Sequence, residues 1–132
     1  MAWDVVNEAQ ADNGSGLKTV TPWYPLLPDY VDRAFIHARA ADPDALLFYN
    51  DYNVMTHQSK VKADAIVEMI KGMKSRGVPI DGMGIQFHVK DADTASLTRE
   101  SVAATIKRFG DLGLQVHITE MDVKCPSCAD SD

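Results

Sequence analysis

Apolar and polar positions alternate between two periods along the whole chain. Short apolar runs of strand length are followed each time by a segment whose apolar residues recur every three or four positions. Trp3-Asp4-Val5-Val6 reads as a strand closing on Asn7-Glu8, an amide and a carboxylate. Residues 9–28 form a long connection rich in Gly, Asn, Asp, Thr and Pro, carrying Trp23 and Tyr24; connections of that length inside a small domain are usually functional. Asp29 has the character of an N-cap for a helix over residues 29–41, with Tyr30, Ala34, Ile36-His37 and Ala38 as its inner stripe. Asp42-Pro43 stops that helix, and Ala45-Leu46-Leu47-Phe48-Tyr49 is a second strand, ending in Asn50-Asp51-Tyr52-Asn53.

The spacing predicts a further helix over residues 59–76, with Val61, Ala65, Ile66, Met69, Ile70 and Met73 on the buried face and Gly77 as its cap. The run 80–86 is a third, glycine-rich strand leading into Gln86-Phe87-His88. Thr98 caps a helix over residues 98–109 that buries Val102, Ile106 and Phe109. Gln115-Val116-His117-Ile118-Thr119 is the last strand; Glu120 follows where it runs out, with Asp122 two residues later on the same side.

Strands alternating with amphipathic helices imply an α/β protein with a parallel sheet and right-handed crossovers. Every strand ends in polar or ionisable groups and begins on bland ones, which places function at the carboxyl ends. No G-x-G-x-x-G follows the first strand and no G-K-[ST] occurs, so nothing supports a nucleotide site. The pattern is that of part of a barrel.

Composition narrows the functional classes. The chain has 132 residues, room for one domain over 1–132, with 45% hydrophobic and 24% charged residues and a formal net charge of −6. Lys and Arg are scattered, which argues against nucleic acid or an anionic membrane as partner. No apolar run approaches the ~20 residues of a membrane span, and Met1-Ala2 leads straight into a strand with no signal-peptide pattern before it. Cys125 and Cys128 form a lone C-x-x-C in a polar tail with a proline inside. Further ligands at metal spacing are missing nearby, so the pair reads as an incidental loop pair, disulfide-bonded if outside the cell.

Four strand-end motifs carry a resemblance. Trp3-Asp4-Val5-Val6-Asn7-Glu8, Tyr49-Asn50-Asp51-Tyr52-Asn53, Gly82-Met83-Gly84-Ile85-Gln86-Phe87-His88 and Ile118-Thr119-Glu120-Met121-Asp122 occur in the order, and at about the spacing, of glycoside hydrolase family 10. The chain resembles these (β/α)8-barrel xylanases over its whole length. The resemblance implies a partial TIM barrel, strands four to seven with their connecting helices. A complete barrel takes ~250 residues, so an internal fragment truncated at both ends is expected, with open barrel edges that favour self-association.

The resemblance also implies roles. Glu8 is similar to the general acid/base and Glu120 to the nucleophile of a retaining endo-hydrolysis of β-1,4-xylosidic linkages, a mechanism that needs its two carboxyl groups about 5–5.5 Å apart. His88 and Asp122 would orient Glu120, Gln86 would hold Glu8, and Asn7 resembles the donor to the sugar 2-hydroxyl. Tyr52 and Asn53 resemble contacts to the leaving-group-side sugar. Xylan and xylo-oligosaccharides are the implied partners, no cofactor or metal is called for, and the parent enzyme is expected to be secreted. Each motif alone has a plainer reading: Asn7-Glu8 as a helix cap, His88 as a structural histidine, Tyr52 as packing under a loop. His37 reads as facing the helix interior, His57 and His117 as solvent or second-layer residues, and Trp3 as core. Two other functions stay open, a non-catalytic sugar-binding remnant and a related barrel glycosidase acting on β-glucan.

Overall fold

Consecutive strands are neighbours throughout. A computed structural model describes residues 1–55, 60–93 and 95–125. In it β1 (Ala2–Asn7), β2 (Leu46–Asp51), β3 (Gly82–Lys90) and β4 (Gln115–Lys124) form one parallel sheet in the order β1-β2-β3-β4. The crossovers carry α1 (Tyr30–Ala41), α2 (Lys60–Ser75) and α3 (Arg99–Gly110). A doubly wound sheet reverses its strand order at a switch point; this one never does, which is the winding of a barrel. The expected α/β class and partial (β/α)8 architecture are therefore what the chain adopts.

Local chemistry sets the element ends. Thr98 caps α3 by accepting from the Ser101 amide at 3.1 Å. Gly77 has φ +74° and follows α2 as a left-handed cap, with the Val78 amide donating back to Met73 O at 3.0 Å. Asp29 stands at the N-cap position of α1 but makes no cap bond; its carboxylate takes Arg33 Nε at 2.9 Å instead.

Helix faces were read less well than helix existence. On α1 the buried residues are Val31 and Phe35, with Ala34 and Ala38 beside them, while Ile36 and His37 are exposed. At about 100° per residue, position 36 lies across the helix from 31, 34, 35 and 38. On α2, Ala63, Ile66, Val67, Ile70 and Met73 face the sheet, Val61 points away, and Lys62 is completely buried. Ile106 of α3 is also turned outward, leaving Phe109 as that helix's buried anchor. The helix-facing residues Leu47, Tyr49, Met83 and Ile85 join these in one core.

Both outer strands contain an extra residue. Asp4 pairs with Phe48 and Val6 with Tyr49, leaving Val5 as a bulge in β1; Ile85 pairs with Ile118 and Gln86 with Glu120, leaving Thr119 as a bulge in β4. β4 does not stop at Thr119 but runs on through Glu120 and Asp122 to Lys124. The face opposite the helices carries Phe48, Asn50, Gly82, Gly84, Gln86, His88, Glu120 and Asp122 by alternation and register. It is polar toward the strand carboxyl ends. Within the sheet, the large exposed apolar groups sit on the two outer strands: Trp3 on β1, and Ile118, Met121 and Val123 on β4. Trp3 is half exposed rather than core, because among the described residues no strand pairs with β1 on that side.

The amino ends of the strands are stapled. Asp81 Oδ2 accepts from Arg39 Nη2 at 2.5 Å and from the Leu47 amide at 2.8 Å, and Arg39 also donates to Pro43 O and Ala45 O. On the inner face, a Cβ at Gly82 would collide with the buried Phe48 ring. Gly82→Ala is therefore expected to cost about 1–3 kcal/mol by overpacking, read as a lower urea midpoint.

Candidate active site

The bulges aim the carboxylates. After the extra Val5, Asn7 pairs with Asn50 and the backbone of Glu8 enters the left-handed region at φ +55°. That conformation is unfavourable for a residue with a Cβ by about 1–2 kcal/mol, and two bonds hold it. The Glu8 amide donates to Asn50 O at 2.9 Å, and its carboxylate Oε1 accepts from Gln86 Nε2 at 3.1 Å. After the extra Thr119, Glu120 and Asp122 come into line with Gln86 and His88.

A chain of side chains crosses the four strand ends. Thr119 Oγ1 donates to Asn50 Oδ1 at 2.7 Å, Asn50 Nδ2 to Asn7 Oδ1 at 3.1 Å, and Gln86 Nε2 to Asn7 Oδ1 at 3.0 Å as well as to Glu8. Asn50 and Gln86 are buried. With its oxygen occupied twice, the Asn7 carboxamide keeps its two N–H donors for whatever lies above the sheet. Gln86 thus stands between the two glutamates, bonded to Glu8 and in register with Glu120.

His88 bridges the other carboxylates. Its Nε2 lies 2.9 Å from Glu120 Oε2 and its Nδ1 2.6 Å from Asp122 Oδ2. Two ionised carboxylates offer only acceptors, so both bonds need an imidazole protonated at both nitrogens. The hydrogen bond to Asp122, with the smaller contribution of Glu120, accordingly raises the His88 pKa above its ordinary 6.5 in spite of partial desolvation.

Tyr52 and Asn53 lie just beyond β2, where Asn53 is exposed with φ +54°. Neither bonds to the pair of glutamates. Lys18 connects the two regions: its Nζ is 4.0 Å from Glu8 Oε2 and 5.1 Å from the Tyr52 ring centroid. It sits on a short hairpin tied by Gln10–Leu17 bridging and by the Lys18 amide donating to Ala9 O. Trp23 lines a cleft of about 640 Å³ whose other wall holds Asn7 and Glu8, while Tyr24 lines a different one. His117 stacks on Phe48 with centroids 4.4 Å apart. Cys125 is disulfide-bonded; Cys128 and His57 lie outside the described residues.

Sequence reasoning assigned no role to Asn50, Thr119, Lys18, Asp12 or Lys62. Asn50 did carry a signal, as the first polar residue after four apolar ones in β2, on the strand face that alternation shares with Phe48. Lys62 carried none, since an ammonium on a helix reads as solvated.

The segment thus carries carboxylates at its strand carboxyl ends, one held by an amide and one by a histidine. The family profile described as Glycosyl hydrolase family 10 matches residues 1–131, and the chain belongs to that family. It is 45% identical over 121 residues to endo-1,4-beta-xylanase B of Thermotoga neapolitana, covering 91% of this chain and 33% of that protein. Crystal structures of xylanase 10B superpose on it as well. For the Thermotoga maritima enzyme the TM-score is 0.82 at 43% identity, covering 92% of this chain and 36% of that one. For the Thermotoga petrophila RKU-1 enzyme in complex with xylobiose it is 0.86 at 40% identity, covering 99% and 38%. The chain thus spans about a third of the length of the relatives it matches.

Because the folded-state pKa of His88 is raised, the stabilisation from its two carboxylate partners is fully present below the ordinary imidazole value of about 6.5 and fades as pH rises through the raised one. Asp122→Asn is expected to move the His88 titration back down toward that ordinary value, followed through the imidazole Cε1–H resonance; an unmoved titration counts against this account.

Proposed function

We propose that this chain carries the catalytic pair of a retaining endo-1,4-β-xylanase, with Glu120 as nucleophile and Glu8 as general acid/base. The observation that carries the reading is the division of labour around Gln86. One carboxylate is held by a neutral amide that tolerates it with or without its proton. The other is held by a histidine that Asp122 also grips and whose pKa is raised by those two carboxylates.

In this reading Glu120 attacks the anomeric carbon while Glu8 gives its proton to the departing glycosidic oxygen. The glycosyl–Glu120 ester is then hydrolysed by a water that Glu8, now ionised, deprotonates. Gln86 keeps Glu8 in place through both states, because its N–H donor serves either form of the oxygen. Asp122 fixes the imidazole and so the direction from which Glu120 is held. The free N–H donors of Asn7 suit the sugar 2-hydroxyl, a contact that strengthens as charge develops on the ring. Tyr52 and Asn53 take the sugar on the leaving-group side. Xylan and xylo-oligosaccharides are the substrates, in keeping with the relatives' names.

Because four strands make half a barrel, the test places this segment in the barrel of one of the endo-xylanase relatives, beside the chain alone. Glu120→Ala is expected to lower turnover of an activated aryl β-xylobioside by more than about 10⁴-fold, with partial rescue by azide or formate. Glu8→Ala is expected to lower xylan hydrolysis by about 10²–10⁴-fold, with a smaller loss on the aryl substrate, whose leaving group needs less help. Turnover unchanged by Glu120→Ala sinks the assignment.

A further inference from the structure

Lys62 is the least expected residue in the fold. It lies on the sheet-facing side of α2 with no solvent exposure at all. A buried ammonium is poor evidence for stability, because an apolar side chain of like volume often serves a core at least as well. What Lys62 touches is more informative.

Its Nζ stands 2.8 Å from Asp51 Oδ1, 2.8 Å from Asp12 Oδ1 and 3.5 Å from the centroid of the Tyr52 ring. Asp51 is itself fully buried; its Oδ2 accepts from Tyr49 Oη at 2.5 Å and its Oδ1 from the Tyr52 amide at 2.8 Å. Asp12, on the hairpin after β1, accepts from Tyr52 Oη at 3.0 Å. Every handle of Tyr52 therefore ends on one line of charges. Its amide is held by Asp51, its ring by the ammonium and its hydroxyl by Asp12, and Lys62 joins the two carboxylates. Burial alone would lower the Lys62 pKa, but the bonds to Asp12 and Asp51 outweigh it and keep the group charged. The same bond between Lys62 and Asp12 pins the hairpin that carries Lys18 beside Glu8.

We propose that Lys62 is a positioning residue for the sugar on the leaving-group side, setting the tilt of the Tyr52 ring and tying it to the hairpin beside Glu8. This rests on the reading of Tyr52 as the residue that meets that sugar. A ring clamped at three points presents one surface to a pyranose without ordering cost on binding. A ring released from the ammonium and from Asp12 has to be ordered by the substrate.

The test separates substrates that need this side from one that does not, again in an eight-stranded barrel carrying the segment. Xylotetraose must place a sugar on Tyr52, whereas an aryl β-xylobioside has no sugar on that side and a leaving group that departs without one. Lys62→Met is expected to raise KM for xylotetraose about tenfold, the size of a lost desolvated cation–π contact. The kcat/KM for the aryl xylobioside should stay within about twofold of the parent. Asp12→Ala, which leaves Lys62 paired with Asp51, should show the same split more weakly; it decides the matter if Lys62→Met does not fold. Adding Lys62→Met to Tyr52→Ala should cost no more than Tyr52→Ala alone. A parallel fall on both substrates means Lys62 is only structural and overturns the inference, as does an additive double variant. A Tyr52→Ala effect with none from Lys62→Met or Asp12→Ala also overturns it. No effect of Tyr52→Ala on xylotetraose overturns the reading of Tyr52 and this inference with it, while leaving the roles of Glu8 and Glu120 to their own test.

Discussion

One carboxamide oxygen ties the working end of this sheet together. Asn7 Oδ1 accepts from both Asn50 and Gln86, and through them it is connected to Thr119 and to Glu8. These residues come from all four strands, so their side chains fix the relative heights of the strand ends as firmly as the backbone ladder does. Asn50 and Gln86 are the buried members, so their bonds here are costlier to lose than those of exposed groups. The glutamate that hangs from this network inherits its rigidity. The opposite end of the sheet is held by a different device, the Arg39–Asp81 staple, which leaves the carboxyl ends free to be shaped by chemistry.

Most of the fold and part of the site were legible in the sequence. The alternation of periods located seven elements in the right order, and the polar residues closing each strand stand together at one end of the sheet. Glu8, Gln86, His88, Glu120 and Asp122 could be picked out because each stood where an apolar strand would otherwise continue. The helix faces were harder. Ile36, Val61 and Ile106 are apolar and were assigned inward, yet a helix turns by a fixed angle and cannot bury every apolar residue it carries. Lys62 was invisible for the converse reason: its burial depends on Asp51 and Asp12, which come from two other segments, and no local pattern announces such a convergence. The extent of β4 was missed because Thr119-Glu120 breaks the alternation, which is the mark of a bulge as much as of a strand end.

The two glutamates sit in unlike surroundings. Glu8 faces an amide and, more distantly, the ammonium of Lys18; Glu120 faces an imidazole that is itself gripped by Asp122. That contrast arises from side chains of β3, a strand that supplies neither carboxylate. Gln86 and His88 are two residues apart and so share a face, and each serves the glutamate of a different strand. The middle of the sheet therefore gives the two carboxylates on its flanks their different partners.

The bulges at Val5 and Thr119 have a further consequence for how such a chain can change over time. Val5 lies three residues before Glu8 and Thr119 directly before Glu120, and a strand presents alternate residues to alternate faces. Substitutions near either position are matters of degree, but one residue more in either strand, taken into the regular ladder, would shift every later residue to the opposite face and set Glu120 opposite Phe87, toward the helices. Length in these two strands is thus under a stricter constraint than composition. Among related chains, gaps are expected to accumulate in the connection 9–28 and beyond β4, and to be rare between Ala2 and Glu8 or between Gln115 and Asp122.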